Sequence, residues 1–447
     1  MNMTEKALAL LTEKKFSQLK QLLSTMNPVD LAGILEEMPQ DSLPLVYRLL
    51  PKELAAEAFA EMDNDLQEIL IQAFSDKELQ EVLDELYLDD AVDIIEEMPA
   101  NVVKRILRQT SPEVRKKINE ILHYPEDSAG SIMTIEYVDL KKTMTVDEAF
   151  SRIRATGVDK ETIYTCYVTN HDRKLEGLVT VRELLLSPKT AIIGEIMQTH
   201  VIAASTLDDK EKVANQLQKY DFLALPVVDQ EYRLVGIVTF DDAMDVLQEE
   251  NTEDIEMMAA ITPTGKPYLK TSTTELWKKR VPWLLLLMVS ATFTGKIIQA
   301  YESALAAQVA LTAFIPMLMD TGGNAGSQAS VTIIRGLSLG EIRMSDLLKI
   351  IWKEIRVAIL CGLTLSVANF AKMMLLDQVG LSVSLVVCLT LVVTVTIAKI
   401  TGCTLPIVAK RIGFDPAVMA SPFITTIVDA LSLIVYFNFA SILLHLG

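Results

Sequence analysis

The chain has 447 residues, half of them hydrophobic, with 59 acidic against 41 basic residues and a formal net charge of −18. That length exceeds one ordinary domain, and a mean hydropathy of +0.29 beside 22% charged residues means that charged and apolar residues are segregated. Residues 1–275 hold 51 acidic and 28 basic residues, a net −23, which argues against nucleic acid as a partner because phosphate contacts need a basic face. Residues 276–447 hold 8 acidic and 13 basic, a net +5. The acid of the first part is either a solvated surface or a collector of cations. Cys166, Cys361, Cys388 and Cys403 form no CxxC pair, and the four histidines lack zinc-like spacing. The N-terminus is charged within a few residues and has no long apolar run, so no cleaved signal peptide is expected.

Residues 1–125 alternate helical patterns with punctuation at Pro28, Pro39, Pro51, Pro99 and Pro112. An internal repeat runs through them. Asp30-Leu-Ala-Gly-Ile-Leu-Glu-Glu-Met-Pro39 returns sixty positions on as Asp90-Ala-Val-Asp-Ile-Ile-Glu-Glu-Met-Pro99. Repeated helix pairs predict an all-α superhelical domain over residues 1–129, a scaffold without chemistry of its own.

Residues 130–248 change character. Ile132-Met-Thr134 and Ile196-Met-Gln198 each open a unit of about 60 residues, and Leu175-Glu-Gly-Leu-Val-Thr-Val-Arg-Glu-Leu184 and Leu234-Val-Gly-Ile-Val-Thr-Phe-Asp-Asp-Ala243 each close one. Within the units, strands such as 165–169 and 224–228 alternate with helices such as 146–155 and 209–219. The two copies resemble a tandem pair of cystathionine β-synthase (CBS) domains, at 130–194 and 195–248, an α/β module that usually senses a nucleotide or an ion.

Acid is dense over residues 241–260, at Asp241, Asp242, Asp245, Glu249, Glu250, Glu253, Asp254 and Glu256. Val246, Leu247, Ile255, Met257 and Met258 interleave at helical spacing. Thr262-Pro-Thr-Gly-Lys-Pro267 breaks the pattern. Residues 249–275 therefore read as a connecting helix and linker, placed to act as a gate or as a solvated connector.

Five apolar stretches follow, at about 281–305, from 306 onward, 351–375, 381–408 and 416–444. Each is long enough to cross ~30 Å of hydrocarbon. Lys278, Lys279 and Arg280 precede the first. Arg335, Arg343, Lys349, Lys353 and Arg356 separate the second from the third, and Lys410 and Arg411 separate the fourth from the fifth. Basic loops favour the cytoplasm. Five spans in a cell (inner) membrane, with the N-terminal domains cytoplasmic and the C-terminus outside, fit every loop.

Asp429 sits near the middle of the last stretch, with Thr425, Thr426 and Ser432 as neighbouring oxygens and no basic partner close in sequence. An aspartate at that depth costs about 2.5–3.5 kcal/mol on insertion scales, so a cation pathway explains it better than helix packing. Pro316-Met-Leu-Met-Asp320-Thr-Gly-Gly-Asn324-Ala-Gly-Ser-Gln328 is the second signal. Small-residue helix packing is one reading. A pore-lining break in the helix, with Asn324 and Gln328 adding oxygen, is the favoured one. Oxygen-only groups suit a hard cation, and a sparse site would hold hydrated magnesium through its waters. Five helices hardly enclose a pore, whereas a symmetric dimer would bring two Asp429 side chains to one axis.

With Asp320-Thr-Gly-Gly-Asn-Ala-Gly-Ser-Gln328, the CBS pair, the helical N-terminal stack and Asp415-Pro-Ala…Pro422…Asp429 in this order, the chain resembles the MgtE family of magnesium channels and transporters along essentially its whole length. The resemblance implies a multi-domain membrane protein, with an all-α N-terminal domain, an α/β CBS pair, a connecting "plug" helix and a five-helix membrane domain over 276–447. It implies a homodimer in a lipid bilayer that admits Mg2+ passively through a pore on the dimer axis. It makes Asp429 the selectivity carboxylate, with Gly322, Gly323, Asn324 and Gln328 around the pore, Thr425 beside Asp429, and Asp415 at the cytoplasmic mouth. It also implies regulatory Mg2+ bound by Glu57, Asp89 and Asp93 in the N-terminal domain. In the CBS pair and plug the matching positions are Asp209, Glu211, Asp221, Asp242, Glu250, Glu253 and Asp254. Ser421 departs from the asparagine that some members carry before Pro422. Some relatives bind ATP in the CBS cleft, and that stays open here.

High internal magnesium would then lock the plug helices over the pore, and low magnesium would release them. A cation-coupled divalent-metal exchanger or exporter is the first alternative, for which intramembrane carboxylates beyond Asp429 look scarce. A membrane magnesium sensor that moves nothing is the second. No Ser/His/Asp arrangement, phosphate-cradling loop or metal-hydrolase motif marks an enzyme.

Overall fold

Asn27 starts the first repeat helix: its Oδ1 accepts the Val29 N–H at 3.0 Å, and Pro28 supplies the first helical residue. The computed structural model describes residues 2–265, 268–419 and 421–445, apart from the side chains of Glu97, Asp159 and Ser421. Lys266 and Pro267, within the expected linker, lie outside the described residues, as does the side chain of Ser421. The chain divides into two compact units, Met1–Leu247 and Gln248–Gly447.

In the first unit, ten helices are described before the first strand. They are α1 (Met3–Thr12), α2 (Phe16–Leu23), α3 (Pro28–Glu36), α4 (Leu43–Tyr47) and α5 (Lys52–Ala60). The other five are α6 (Asn64–Ala73), α7 (Asp76–Leu83), α8 (Leu88–Glu97), α9 (Ala100–Gln109) and α10 (Pro112–Ile121). The sequence repeat is α3 against α8. Leu31, Ala32, Ile34, Leu35 and Met38 are buried in one copy, and Ala91, Val92, Ile94, Ile95 and Met98 in the other. Each fully buried leucine, isoleucine or valine among them contributes ~1.5–3 kcal/mol. One apolar core runs through all ten helices.

Two three-stranded sheets follow. β1 (Val138–Leu140) pairs parallel with β2 (Thr165–Thr169), which pairs antiparallel with β3 (Leu175–Thr180). β4 (Ala204–Ser205), β5 (Ala224–Val228) and β6 (Leu234–Thr239) repeat that order. The helices α11 (Val146–Thr156), α12 (Val181–Leu186), α13 (Ile193–Ile196) and α14 (Lys210–Tyr220) complete the two halves. Thr145 with Glu148, and Thr180 with Glu183, cap α11 and α12 reciprocally.

The opening segments are exchanged. Thr134 pairs with Ile237 of β6, and Gln198 pairs with Leu178 of β3, so each opener packs on the other half's closing strand. Glycine permits both crossings. A Cβ at Gly236 would fall 2.7 Å from the Thr134 carbonyl oxygen, and one at Gly177 would fall 2.8 Å from that of Gln198.

α15 (Phe240–Met258) leads out of the first unit into the second. The second unit continues with α16 (Thr273–Ala300), α17 (Glu302–Ala307), α18 (Ile315–Ser338), α19 (Leu347–Leu375), α20 (Leu381–Arg411) and α21 (Ser421–Leu443). Among the described residues, four spans are long and apolar enough to cross a membrane: Thr273–Ala300, Met344–Asp377, Leu381–Arg411 and Pro416–Leu443. At 24 residues α18 is as long as a span, roughly 36 Å at 1.5 Å per residue, but it is not among the four. Asp320, Asn324 and Gln328, at i, i+4 and i+8, form an exposed polar stripe along it.

The expected break in this helix is absent: α18 runs unbroken through Gly322 and Gly323. The glycines serve close packing instead. A Cβ at Gly322 would fall 2.8 Å from Thr394, one at Gly323 2.3 Å from Thr425, and one at Gly326 2.7 Å from Ile424. Gly322 and Gly326 are four apart, the spacing that lets helix backbones approach. Asn324 and Gln328 lie on the other face.

Candidate functional site

α8 enters with Asp89 and Asp90 in its first turn, which favours acid there through the helix dipole. Both meet more acid. Asp89 and Asp90 lie within electrostatic range of Asp242 on α15, Asp90 is also near Glu61, and Glu161 is near Asp90, Asp241 and Asp242. Thr239 donates from Oγ1 to Asp242 Oδ2 at 2.6 Å, and one oxygen of Asp89 is buried with no hydrogen-bond partner. Burial first, and then the neighbouring carboxylates, raise Asp89 well above the usual carboxylate range. Asp90 and Asp242 are pushed up to about 6, and Glu161 to about 7. Glu61 and Asp245 rise for the same reasons.

These are like charges held together against their repulsion, and a bound hard cation would relieve it. The donors are all oxygen, and the orphaned Asp89 oxygen offers a lone pair, so the group fits Mg2+. Among the described residues, no three His, Cys, Asp or Glu side chains close around one point.

The other expected magnesium residues scatter. Asp93 is exposed on α8, whereas Glu57, exposed on α5, lies near enough to act on Tyr87 together with Asp89 and Glu161. Asp209 caps α14 by accepting the Lys212 N–H at 3.2 Å. Asp221 ends the same helix in the left-handed conformation, with φ 54°. Glu211 lies in its first turn. Glu250, Glu253 and Asp254 belong to the part of α15 in the second unit. The spacing of acid along α15 was visible in the sequence. The roles of Asp90, Glu61 and Glu161 were not, because only the fold brings Asp90 and Glu161 to Asp242 and Glu61 to Asp241 and Asp245.

A cavity of about 280 Å³ in the CBS pair is lined by Ile135, Tyr137, Asp139, Lys160, Thr169 and Arg173. Arg173 donates to the Tyr137 hydroxyl at 3.4 Å and to the Leu234 carbonyl at 3.2 Å.

In the second unit, Asp429 is half-buried on α21, within electrostatic range of Asp320 on α18. Thr425 and Thr426 both donate to the Pro422 carbonyl at 3.0 Å. Ser432 is buried against α18, near Gly322. Asp415 accepts the Ala417 N–H at 2.7 Å and so caps the turn that precedes α21. A cavity of about 490 Å³ lies along the α18 stripe, lined by Asp320, Thr321, Asn324 and Gln328 together with residues of α19 and α20.

One feature of the membrane stretches escaped the sequence reading. Lys399, buried in α20, pairs with Glu354 of α19 at 3.6 Å. Intramembrane charge is therefore less scarce than expected. Lys399 interrupts an apolar run, a signal present in the sequence, whereas Glu354 lies between Lys353 and Arg356 and carries no such signal.

The end of α15 is seated within its own unit. Met257 and Met258 pack on Ile334 of α18 and on Ala417, and Arg335 donates to Asn251 Oδ1 at 3.0 Å.

Residues 26–127 match the MgtE intracellular N domain, 129–188 and 193–249 match CBS domains, and 315–439 match the MgtE divalent cation transporter family. The sequence is 36% identical over 437 residues to the magnesium transporter MgtE of Thermus thermophilus, covering 96% of this chain and 95% of that one. The chain belongs to the MgtE family of divalent cation transporters. The MgtE of Bacillus subtilis is 32% identical, over 98% of this chain and 96% of that one. The first part of the chain is similar to the cytosolic domain of the Mg2+ channel MgtE solved in complex with ATP. That likeness has a TM-score of 0.52 and 35% identity, and covers 54% of this chain and 99% of the other.

Proposed function

We propose that this protein carries Mg2+ passively across the membrane as a homodimer, and that cytosolic Mg2+ closes it. The observation that carries the pathway is Asp429: a half-buried carboxylate within an otherwise apolar span, with a second carboxylate, Asp320, in electrostatic range. An intramembrane acid of this kind is retained for an ion. Hydrated magnesium would meet Asp429 with Thr425 beside it and Asp320 in electrostatic range, while Asn324 and Gln328 carry further oxygen donors on the outward polar stripe of α18. The glycines of α18 let α21, with Thr425, pack directly against it. Two copies related by a two-fold axis would present two Asp429 carboxylates to one ion. Asp415 shapes the approach to α21.

Closure would come from the acid. Mg2+ bound by Asp89 and Asp242 with their acidic neighbours stabilises the arrangement in which those carboxylates face each other. Glu57, Asp93, Asp209, Glu211 and Asp221 add capacity at the surface, and Glu250, Glu253 and Asp254 add it on α15. The seat of α15 against Ile334, Ala417 and Arg335 supports its reading as the plug. The CBS cavity, with Lys160 and Arg173 beside Tyr137, is our candidate for a nucleotide such as ATP.

The test is magnesium uptake into liposomes holding purified protein, wild type beside Asp429→Ala, with magnesium varied on the face carrying the first unit. Uptake that needs Asp429 and falls as that magnesium rises is expected. Uptake untouched by the substitution would move the pathway elsewhere, and uptake that stops when a sodium or proton gradient is collapsed would make the protein a coupled exchanger.

A further inference from the structure

One face of α19 changes character along its length. Lys349, Trp352, Lys353 and Arg356, at i, i+3, i+4 and i+7, share that face near the start of the helix, and all four are exposed. Leu360, Leu363 and Val367 continue it, exposed as well. The helix belongs to a span long and apolar enough to cross a membrane, Met344–Asp377. The apolar part of the face then meets acyl chains. The basic part, roughly 10 Å long at 1.5 Å per residue, falls in the headgroup layer beside them. The end of α15 packs on Ile334 of α18, one short connection before α19. The basic end of α19 therefore lies on the side of the membrane from which α15 enters.

These cations are poorly neutralised by the protein itself. Glu354, on the same turns, points inward to Lys399. Asp346 reaches Lys349 at 3.3 Å, yet that lysine side chain stays 84% exposed. Lys353 and Arg356 have no ion pair among the described residues. Arg356 stands 5.9 Å from the centre of the Trp352 ring, within cation–π range, and Trp352 is itself 61% exposed. Lys349 lies in the first turn of α19, where the helix dipole disfavours a cation, so helix stability does not account for it.

We infer that this face binds an anionic phospholipid of the leaflet on the α15 side. Lys353 and Arg356 would hold the phosphate, with Lys349 at the rim. Trp352 would cover the glycerol region, and the acyl chains would run along Leu360, Leu363 and Val367. Charge complementarity selects this occupant. A zwitterionic headgroup would bring a cation of its own to the cluster, and a second copy packed symmetrically here would set the same three cations against each other. Each lysine or arginine at an anionic surface contributes about fivefold to binding.

The experiment titrates the full-length protein, in neutral detergent, with dioleoyl phosphatidylglycerol or dioleoyl phosphatidylcholine and counts bound lipid by native mass spectrometry. Wild type should bind the anionic lipid about tenfold or more tightly than the zwitterionic one. Lys353→Gln/Arg356→Gln should bring the two within about threefold of each other. Lys353→Arg/Arg356→Lys, which keeps the charge, should retain the preference, as should Lys372→Gln at the other end of α19. Each variant is first checked for an unchanged gel-filtration profile, and if the glutamine pair fails it, Trp352→Leu with Lys349→Gln takes its place. Wild type without a preference, or a charge-removing variant that keeps it in full, overturns the inference. Displacement of the lipid by millimolar inorganic phosphate would also overturn it, since the site would then be one for a soluble anion. None of these readings depends on ion flux.

Discussion

Gly402 of α20 lies against Gly326 of α18 so closely that a Cβ at 402 would fall 2.2 Å from the Gly326 carbonyl oxygen. Backbone meets backbone there, with no flexible side chain to yield. Gly402→Ala should therefore destabilise the membrane unit by about 1–3 kcal/mol, the usual range for overpacking. Gly295→Ala, where nothing lies within 4 Å of the added carbon, is the control. Melting in detergent, followed by loss of the monodisperse gel-filtration peak, compares them. Equal melting temperatures for the two variants would contradict the packing argument.

The crossed openers predict a matched pair of effects. Gly177→Ala pushes a methyl group against Gln198 and Met197, and Gly236→Ala pushes one against Thr134 and Met133. Each should lower the melting temperature by a similar amount, since the two sites are equivalent by the internal repeat. A variant that melts with wild type would show that its opener is not held in the crossing.

The acidic group gives stability an unusual dependence on pH. Asp90 and Asp242 titrate at about 6 and Glu161 at about 7, raised by burial and then by one another. A carboxyl whose value rises on folding binds more protons folded than unfolded. Its contribution is complete below pH ~4 and is lost as pH climbs through the folded value. In chelator, then, the protein should melt several degrees higher at pH 5.5 than at pH 8. Millimolar Mg2+ should restore much of the difference at pH 8 and add little at pH 5.5. In Asp89→Asn/Asp242→Asn both the pH effect and the magnesium effect should shrink. A melting temperature that rises with pH in chelator would reverse the sign and refute the account.

Arg335 tests the seat of α15. Its hydrogen bond to Asn251 contributes about 1 kcal/mol, roughly a fivefold change in an equilibrium. Arg335→Ala should raise several-fold the magnesium concentration needed for half-closure, leaving the uptake rate of the open form near wild type. Flux measurements across a magnesium series read both quantities. An unchanged closing concentration would detach α15 from gating.

Periodicity made much of this fold legible. The sixty-residue repeat of Asp30–Pro39 in Asp90–Pro99 carried the burial pattern of α3 and α8 position by position. The two closing motifs likewise marked β3 and β6. The exchange of the openers was not legible, because pairing Thr134 with Ile237 leaves no local trace. In α18 one motif held two faces. Glycines at i and i+4 faced the bundle while Asp320, Asn324 and Gln328 faced away, and a linear reading merged them into one broken, pore-lining segment. The acid of α15 was visible as a run, but its meeting with Asp89 and Asp90 depends on tertiary structure. Lys399 was visible as an interruption of an apolar run and went unweighed, whereas its partner Glu354 was masked by the charges of Lys353 and Arg356.

The exchange of openers also sets a timetable for synthesis. Thr134 leaves the ribosome about a hundred residues ahead of its partner Ile237. At 5–20 residues per second that is a wait of roughly 5–20 seconds. The ten-helix region ahead of it contains its own core and can close during that interval. The opener at Thr134, by contrast, stays unpaired until β6 emerges. A nascent chain stalled between residues 200 and 230 would carry a finished helical stack followed by a half-built sheet, and that is the stage at which a holdase would find most to bind.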